Sequence, residues 1–250
     1  MSLDQGIILI IGMLTGFVSG MFGIGGSVGA TPLLIMFASV EPRLAVSSPL
    51  AAVIFSALAG SAAYHVKGLI NKRLIFFTII AAIPFGFLGT FLSNFVDVNS
   101  IVIIKAALLF AMSIRFFYGK KGAFGDESVE ETVKIMLITG AVGGFVSGFV
   151  AIGGGIIFVS SFNFILKKNM TEASANSLVC VGIVALFNSV LHYMNGFIDL
   201  ELALTLAISI VPFAILGAKL NIRLRNRVLE LAFGIIMVIF SLIFIAERVL

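Results

Sequence analysis

Charge is scarce in this sequence. Only 11% of its 250 residues are Asp, Glu, Lys or Arg, against about a quarter in an average soluble domain. A chain this poor in charge cannot cover a globule of its own size with polar surface, which excludes a soluble enzyme and a disordered chain. Cysteine is nearly absent too. Cys180 stands alone, so no disulfide can form within the chain and no cysteine-based metal spacing can be built. No Gly-Lys-Ser/Thr motif of the Walker type occurs, which argues against an ATP-driven pump. The opening Met1-Ser2-Leu3-Asp4 lacks a basic n-region and does not read as a cleaved signal.

What the chain has is apolar residues (60%), glycine (26) and phenylalanine (25), with a mean hydropathy of +1.19. Its net charge of +4 would suggest a nucleic-acid partner in a soluble protein. In a bilayer protein the positive-inside bias accounts for it, and no nucleic-acid partner is expected. A bilayer-crossing helix needs about 20 mostly apolar residues. Residues 44–66, 74–96, 98–117 (interrupted by Lys105), 173–198, 202–218 and 231–246 each suit one helix. Residues 5–40 and 135–166 carry no charge for 36 and 32 residues, too long for one crossing and short for two. Glycines break both near the middle: Gly23-Ile24-Gly25-Gly26 and Gly153-Gly154-Gly155. Each window therefore reads as two shortened helices, crossing or re-entrant.

The sequence also repeats at an offset of 128. Gly12, Gly16, Phe17, Val18, Ser19 and Gly20 fall on Gly140, Gly144, Phe145, Val146, Ser147 and Gly148, and Ile24-Gly25-Gly26 falls on Ile152-Gly153-Gly154. Further matches include Leu50 with Leu178, Gly68 with Gly196, and Pro84-Phe85 with Pro212-Phe213. The expected organisation is a first membrane repeat (1–120), a cytoplasmic linker (121–134) and a second membrane repeat (135–250). Counting five segments per half puts 13 basic residues on one side, among them Lys67, Lys120, Lys121 and Lys134, and three on the other: Arg43, Lys105 and Arg248. Four segments per half divide them almost evenly. The odd count satisfies the positive-inside rule and makes the halves inverted. The loop charges agree, since Lys67 aligns with Asn195 and Arg73 with Glu201. Both termini then lie outside the cell membrane and the basic loops are cytoplasmic. The fold class is an all-α polytopic membrane protein with about ten apolar segments in a 5+5 inverted repeat, glycine-broken helices opening each half.

Inverted repeats are a transporter signature, with the site at mid-membrane between broken helices. A helix starting after Gly26 or Gly155 aims free N–H groups and its positive dipole end at the break. Two such ends can bind an anion without any arginine. The candidate binding residues are Ser19, Gly23, Gly25, Gly26, Ser27, Ser48, Ser147, Gly153, Gly154, Gly155, Asn176 and Ser177. An anion between the two clusters would support this reading, while an apolar, tightly packed contact would make the glycines packing devices. For the spaced glycines Gly12, Gly16, Gly20, Gly140, Gly144 and Gly148, helix packing is the better reading. The swapped pairs Tyr64-His65 and His192-Tyr193 offer a coupling proton or a gate, set against interfacial anchoring. Lys105 is expected to snorkel to the nearby surface, Cys180 to pack, and Asn163 and Asn188 to bond between helices.

Gly-Phe-Val-Ser-Gly followed by a glycine cluster, occurring twice, resembles the TauE/SafE family of membrane permeases. The likeness runs the length of the chain, through Pro32 and the polar runs Ser47-Ser48-Pro49-Leu50 and Asn176-Ser177-Leu178. It implies transport of small sulfur-containing anions, such as sulfite or organosulfonates, by a secondary transporter with no cofactor and no metal. The chain departs from the family at Ser27, Ala151 and Ser160, and those departures bear on substrate choice. The expected partners are a small anion, the lipid bilayer and a coupling proton or sodium ion; oligomeric state stays open. The rivals are a passive anion channel and a permease of the same fold for a carboxylate or inorganic anion. A membrane-embedded enzyme is disfavoured, because no nucleophile–base pair or paired carboxylates fall within the spans.

Overall fold

The computed structural model describes residues 4–118 and 132–249, apart from the side chains of Tyr118 and residues 246–249. Most of the expected linker, with Lys120 and Lys121, and the side chain of Arg248 lie outside the described residues. The described residues form helices α1 (Gln5–Phe22), α2 (Ser27–Ala38), α3 (Pro42–His65), α4 (Lys72–Ser93), α5 (Val98–Tyr118), α6 (Val133–Val150), α7 (Gly155–Ser160), α8 (Met170–Met194), α9 (Leu200–Arg223) and α10 (Asn226–Val249). A π-helical turn, Ser161–Ile165, continues α7. Shifting α1 through α5 by 128 residues lands each start on the start of α6 through α10, so the repeat seen in the sequence is a repeat of elements.

Eight of these helices are long and apolar enough to cross a membrane. The other two follow the breaks. The 12 residues of α2 rise about 18 Å, little more than half of a hydrocarbon core. Five long helices open on a side chain that accepts their first N–H groups: Asp4, Glu41, Asn71, Asn169 and Asp199. Neither α2 nor α7 has such a cap. The start of α6 lacks a side-chain cap as well, but α2 and α7 differ from it in starting within the buried protein interior.

Helix directions follow from the contacts. Ile8 of α1, Leu34 of α2, Val40, Ala45 of α3 and Leu202 of α9 share one cluster, so α2 returns to the end from which α1 set out. The backbone N–H of Asp199 donates to Ser48 Oγ (2.9 Å), which joins the starts of α3 and α9. Helices α3 and α8, equivalent in the repeat, are antiparallel: Ala57 meets Gly182 and Gly60 meets Leu178. So are α5 and α10, where Ser241 Oγ donates to Ala106 O (3.2 Å) and Phe116 packs at a tilt against Phe233. Equivalent helices that run antiparallel define an inverted repeat. The described chain begins and ends at one face, and Lys67, Lys72, Lys168, Arg223 and Arg225 gather at the other.

The most extensive packing joins elements from different halves. Gly12, Gly16 and Gly20 lay α1 against the α9 backbone at Leu206, Ile210 and Ala214. Gly140, Gly144 and Gly148 do the same for α6 against Thr78, Ala82 and Gly86 of α4. Lipid offers no hydrophobic force between helices, so this close backbone approach supplies the association. A side chain at Gly144 would overlap the Ala82 backbone, whereas Gly68, in the left-handed region at φ +69°, has nothing within 4 Å of a Cβ. Gly144→Val is therefore expected to lose more than about 3 kcal/mol or fail to fold, and Gly68→Ala only about 1 kcal/mol of backbone strain. Melting curves in detergent check this; equal losses would contradict the packing account.

Candidate functional site

The two breaks begin alike. Gly23 ends α1 in the left-handed region (φ +68°), and Ala151 ends α6 there (φ +52°). Ala151 adopts a conformation that costs an alanine about 1–2 kcal/mol. Gly25 and Gly153 match closely at φ +80° and +81°. The next pair differs, with Gly26 at φ −68° and Gly154 at +72°. Glycine is thus required at Gly25, Gly153 and Gly154 by backbone conformation, and at Gly26 it is not.

The breaks meet at the midpoints of α3 and α8. A Cβ on either Gly25 or Gly153 would touch Val181, and one on Gly25 would also touch Val53, the repeat equivalent of Val181. Gly155 lies against the Ile24 backbone, where a Cβ would come within 2.6 Å of the carbonyl oxygen. Ser177 Oγ bridges the two breaks, 2.7 Å from Gly23 O and 3.3 Å from Gly155 O. Ser27 Oγ is buried beside them and has no hydrogen-bond partner. The contact is tight and mostly apolar, and Gly155 serves packing directly. In this conformation an anion can enter between the breaks only if they move apart.

The structure sorts the remaining candidates by their partners. Ser19 Oγ shares a hydrogen bond with Ser56 Oγ (3.0 Å), and Ser147 Oγ accepts one from Asn188 Nδ2 (3.1 Å); both lie on the last turn before a break. Ser48 and Asn176 hold the first residues before α9 and α4: Ser48 accepts from the Asp199 N–H, and Asn176 Oδ1 accepts from the Asn71 N–H. Their known bonds serve helix starts, not the breaks. The His/Tyr pairs divide into an inner and an outer member. Tyr64 OH donates to Gly20 O (2.8 Å), and His192 Nε2 lies 3.3 Å from Gly148 O. These are equivalent positions, both buried, both on the carbonyl three residues before a left-handed helix end. His65 and Tyr193 are exposed.

Three side chains depart from or extend the sequence reading. Lys105 does not snorkel: it is fully buried and donates to Thr31 Oγ1 of α2 (2.8 Å). Its nearest clue in sequence was Thr31, a polar residue in an otherwise apolar run. Asn188 bonds between helices as expected, but Asn163 Nδ2 donates to Lys168 O within its own segment (2.9 Å). Ser56, missed in the sequence, pairs with Ser19, and only packing of α3 on α1 reveals it. Cys180 is buried in the core. Among the described residues no group of three His, Cys, Asp or Glu is placed to hold a metal ion.

Comparison with known proteins agrees with this architecture. A family profile described as sulfite exporter TauE/SafE matches residues 8–244. The chain is similar to a probable membrane transporter protein of Xylella fastidiosa (strain 9a5c), 27% identical over 94% of this chain and 93% of the relative. It is similar to the probable membrane transporter protein YjnA of Bacillus subtilis (strain 168), 25% identical over 94% of this chain and 97% of the relative. A probable membrane transporter protein of Methanocaldococcus jannaschii is 23% identical over 94% of this chain and 93% of the relative. No solved structure matches significantly. The profile takes in both repeats and both breaks, and the chain belongs to the TauE/SafE family of multi-pass membrane transporters.

Proposed function

We propose that this transporter is a secondary carrier of small sulfur-containing anions, such as sulfite or organosulfonates, and that it works by alternating access. The observation that carries the reading is the meeting of two interrupted helices at the centre of an inverted repeat. The family's description as a sulfite exporter supports the substrate class. The packing suggests which bodies move. Helices α1, α2, α3 and α9 form one group and α4, α6, α7 and α8 its equivalent, so the moving bodies exchange a helix between halves. Rocking about the α3–α8 contact separates the breaks and opens a space lined by Ser27, Ser177 and the backbone of Gly25, Gly26, Gly153 and Gly154. The N–H groups at the uncapped start of α2 face that space and favour an anion. Tyr64 and His192, each holding the helix end before a break, are assigned as gates, and His192 as the carrier of any coupling proton.

Proteoliposomes loaded with unlabelled methanesulfonate should take up labelled sulfite or methanesulfonate faster than empty ones, because a carrier exchanges. Flux without trans-stimulation would indicate a channel, and none above protein-free vesicles would refute the proposal. Ser177→Ala removes the hydroxyl that bridges the breaks and is expected to change the exchange rate about tenfold, the worth of one buried hydrogen bond. Sidedness is proposed from charge: termini outside, basic loops cytoplasmic. In a Cys180→Ser background, a membrane-impermeant maleimide applied to intact cells should label Asp97→Cys, and label Lys67→Cys only after permeabilisation. The reverse pattern would invert the assignment.

A further inference from the structure

Beside the second break lies a cleft lined by Arg43, Ser47, Ser93, Phe149, Ala151, His192 and Phe197, with Val46, Val98 and Ile101 closing its apolar side. Arg43 is costly where it stands. It occupies the first turn of α3, where the helix dipole disfavours a cation. It belongs to the face of the molecule that holds few basic residues. Among the described residues no carboxylate lies within ion-pair distance of it; its guanidinium rests on the Phe197 ring, 4.1 Å from the centroid. Glu41, the nearest acid in sequence, spends its carboxylate on the N–H groups of Arg43 and Leu44.

The rest of the cleft suits a negative guest. His192 is 97% buried, Nε2 engages Gly148 O, and Nδ1 has no partner. Lys105 stands one turn beyond Ile101 on α5, buried and bonded to Thr31. Arg43 is the one fixed charge among the residues that line the cleft, and no described carboxylate joins it there. The repeat offers no counterpart, because Thr171 and Leu69 stand at the positions equivalent to Arg43 and Phe197. At the equivalent of Ser93, Asn221 donates to the Met21 carbonyl, so that end is occupied by the protein's own groups.

We propose that this cleft is an anion-binding vestibule of the carrier, in which Arg43 takes the sulfonate or carboxylate head of a small organic anion and passes it to the second break through Ala151. A guanidinium presents paired N–H donors that match such a head group, and stacking on Phe197 holds it in place. The Ser47 hydroxyl and His192 complete the polar wall; the cleft has only about 10 Å³ of free space in this conformation, room for a single water, so it admits the anion only as it widens beside Phe149, Val98 and Ile101. The proposal rests on the anion reading above, but adds a site on one side only, and a residue rather than a helix end to hold the charge.

The test is equilibrium binding of labelled methanesulfonate to the full-length protein in detergent, alongside exchange in proteoliposomes. Arg43→Gln should weaken binding and raise the apparent KM at least tenfold, with a near-normal maximal rate. Arg43→Lys, which keeps the charge and loses the fork, should recover part of that. Ser177→Ala should alter exchange while vestibule binding persists, and Arg225→Gln, an exposed arginine at the opposite face, should change neither. Wild-type affinity and KM in Arg43→Gln would overturn the vestibule and leave the central site standing. If Arg43→Gln does not fold, Arg43→Lys and Ser47→Val decide, and wild-type binding in both overturns the proposal. Wild-type protein that neither binds nor exchanges methanesulfonate would overturn both readings.

Discussion

A helix that stops inside a bilayer exposes N–H and C=O groups that lipid cannot satisfy, and each unsatisfied group costs several kcal/mol. This chain stops a helix twice, and the rest of the fold can be derived from where those ends must go. They are placed against each other at the midpoints of α3 and α8, behind Val53 and Val181, out of reach of lipid. Ser177 joins them by touching one carbonyl on each side. The long helices outside satisfy most of their own groups: five open on side-chain caps, and only Pro49, Pro84 and Pro212 interrupt the donors of α3, α4 and α9.

Holding the breaks at the centre sets the packing around them. Helices α1 and α6 each end at a break and must be gripped along their length by something that does not end there. Their partners are α9 and α4, long helices from the other half, approached through glycine rows that leave backbone against backbone. The halves are consequently interlocked, and neither half could keep these contacts by itself. The carbonyls at the last turns before the breaks receive equivalent but unlike side chains, the phenol of Tyr64 and the imidazole of His192. Pseudo-symmetry fixes the position of the bond, and the residue types let the two ends differ in chemistry.

That difference recurs at several charged positions of the repeat. Lys105 corresponds to Phe233 and Arg43 to Thr171. The apolar frame must repeat because both halves build the same element order and the same central contact. Charges in loops and clefts face different surroundings on the two sides of a membrane and are free to diverge. A protein with one sequence frame used twice can in this way differ in chemistry between its two ends.

Much of this was legible from residues in order. Hydropathy, the offset of 128, the glycine clusters and the unequal distribution of basic residues together determined ten segments, two breaks and an inverted repeat. Those features depend on local composition and on rules of the bilayer that act on every segment separately. Which side chain meets which was decided by tertiary structure. Adjacent residues in sequence, Tyr64 and His65, part company across a helix face, one buried and one exposed. Lys105, expected at the surface, is turned inward to Thr31 by the packing of α5 on its neighbours. Arg43 lies on α3, far along the chain from His192 and Phe197, and no spacing rule links it to them. Their meeting exists only once α3, α8 and the loop before α9 are packed together, because a side chain's surroundings come from other elements and not from its own.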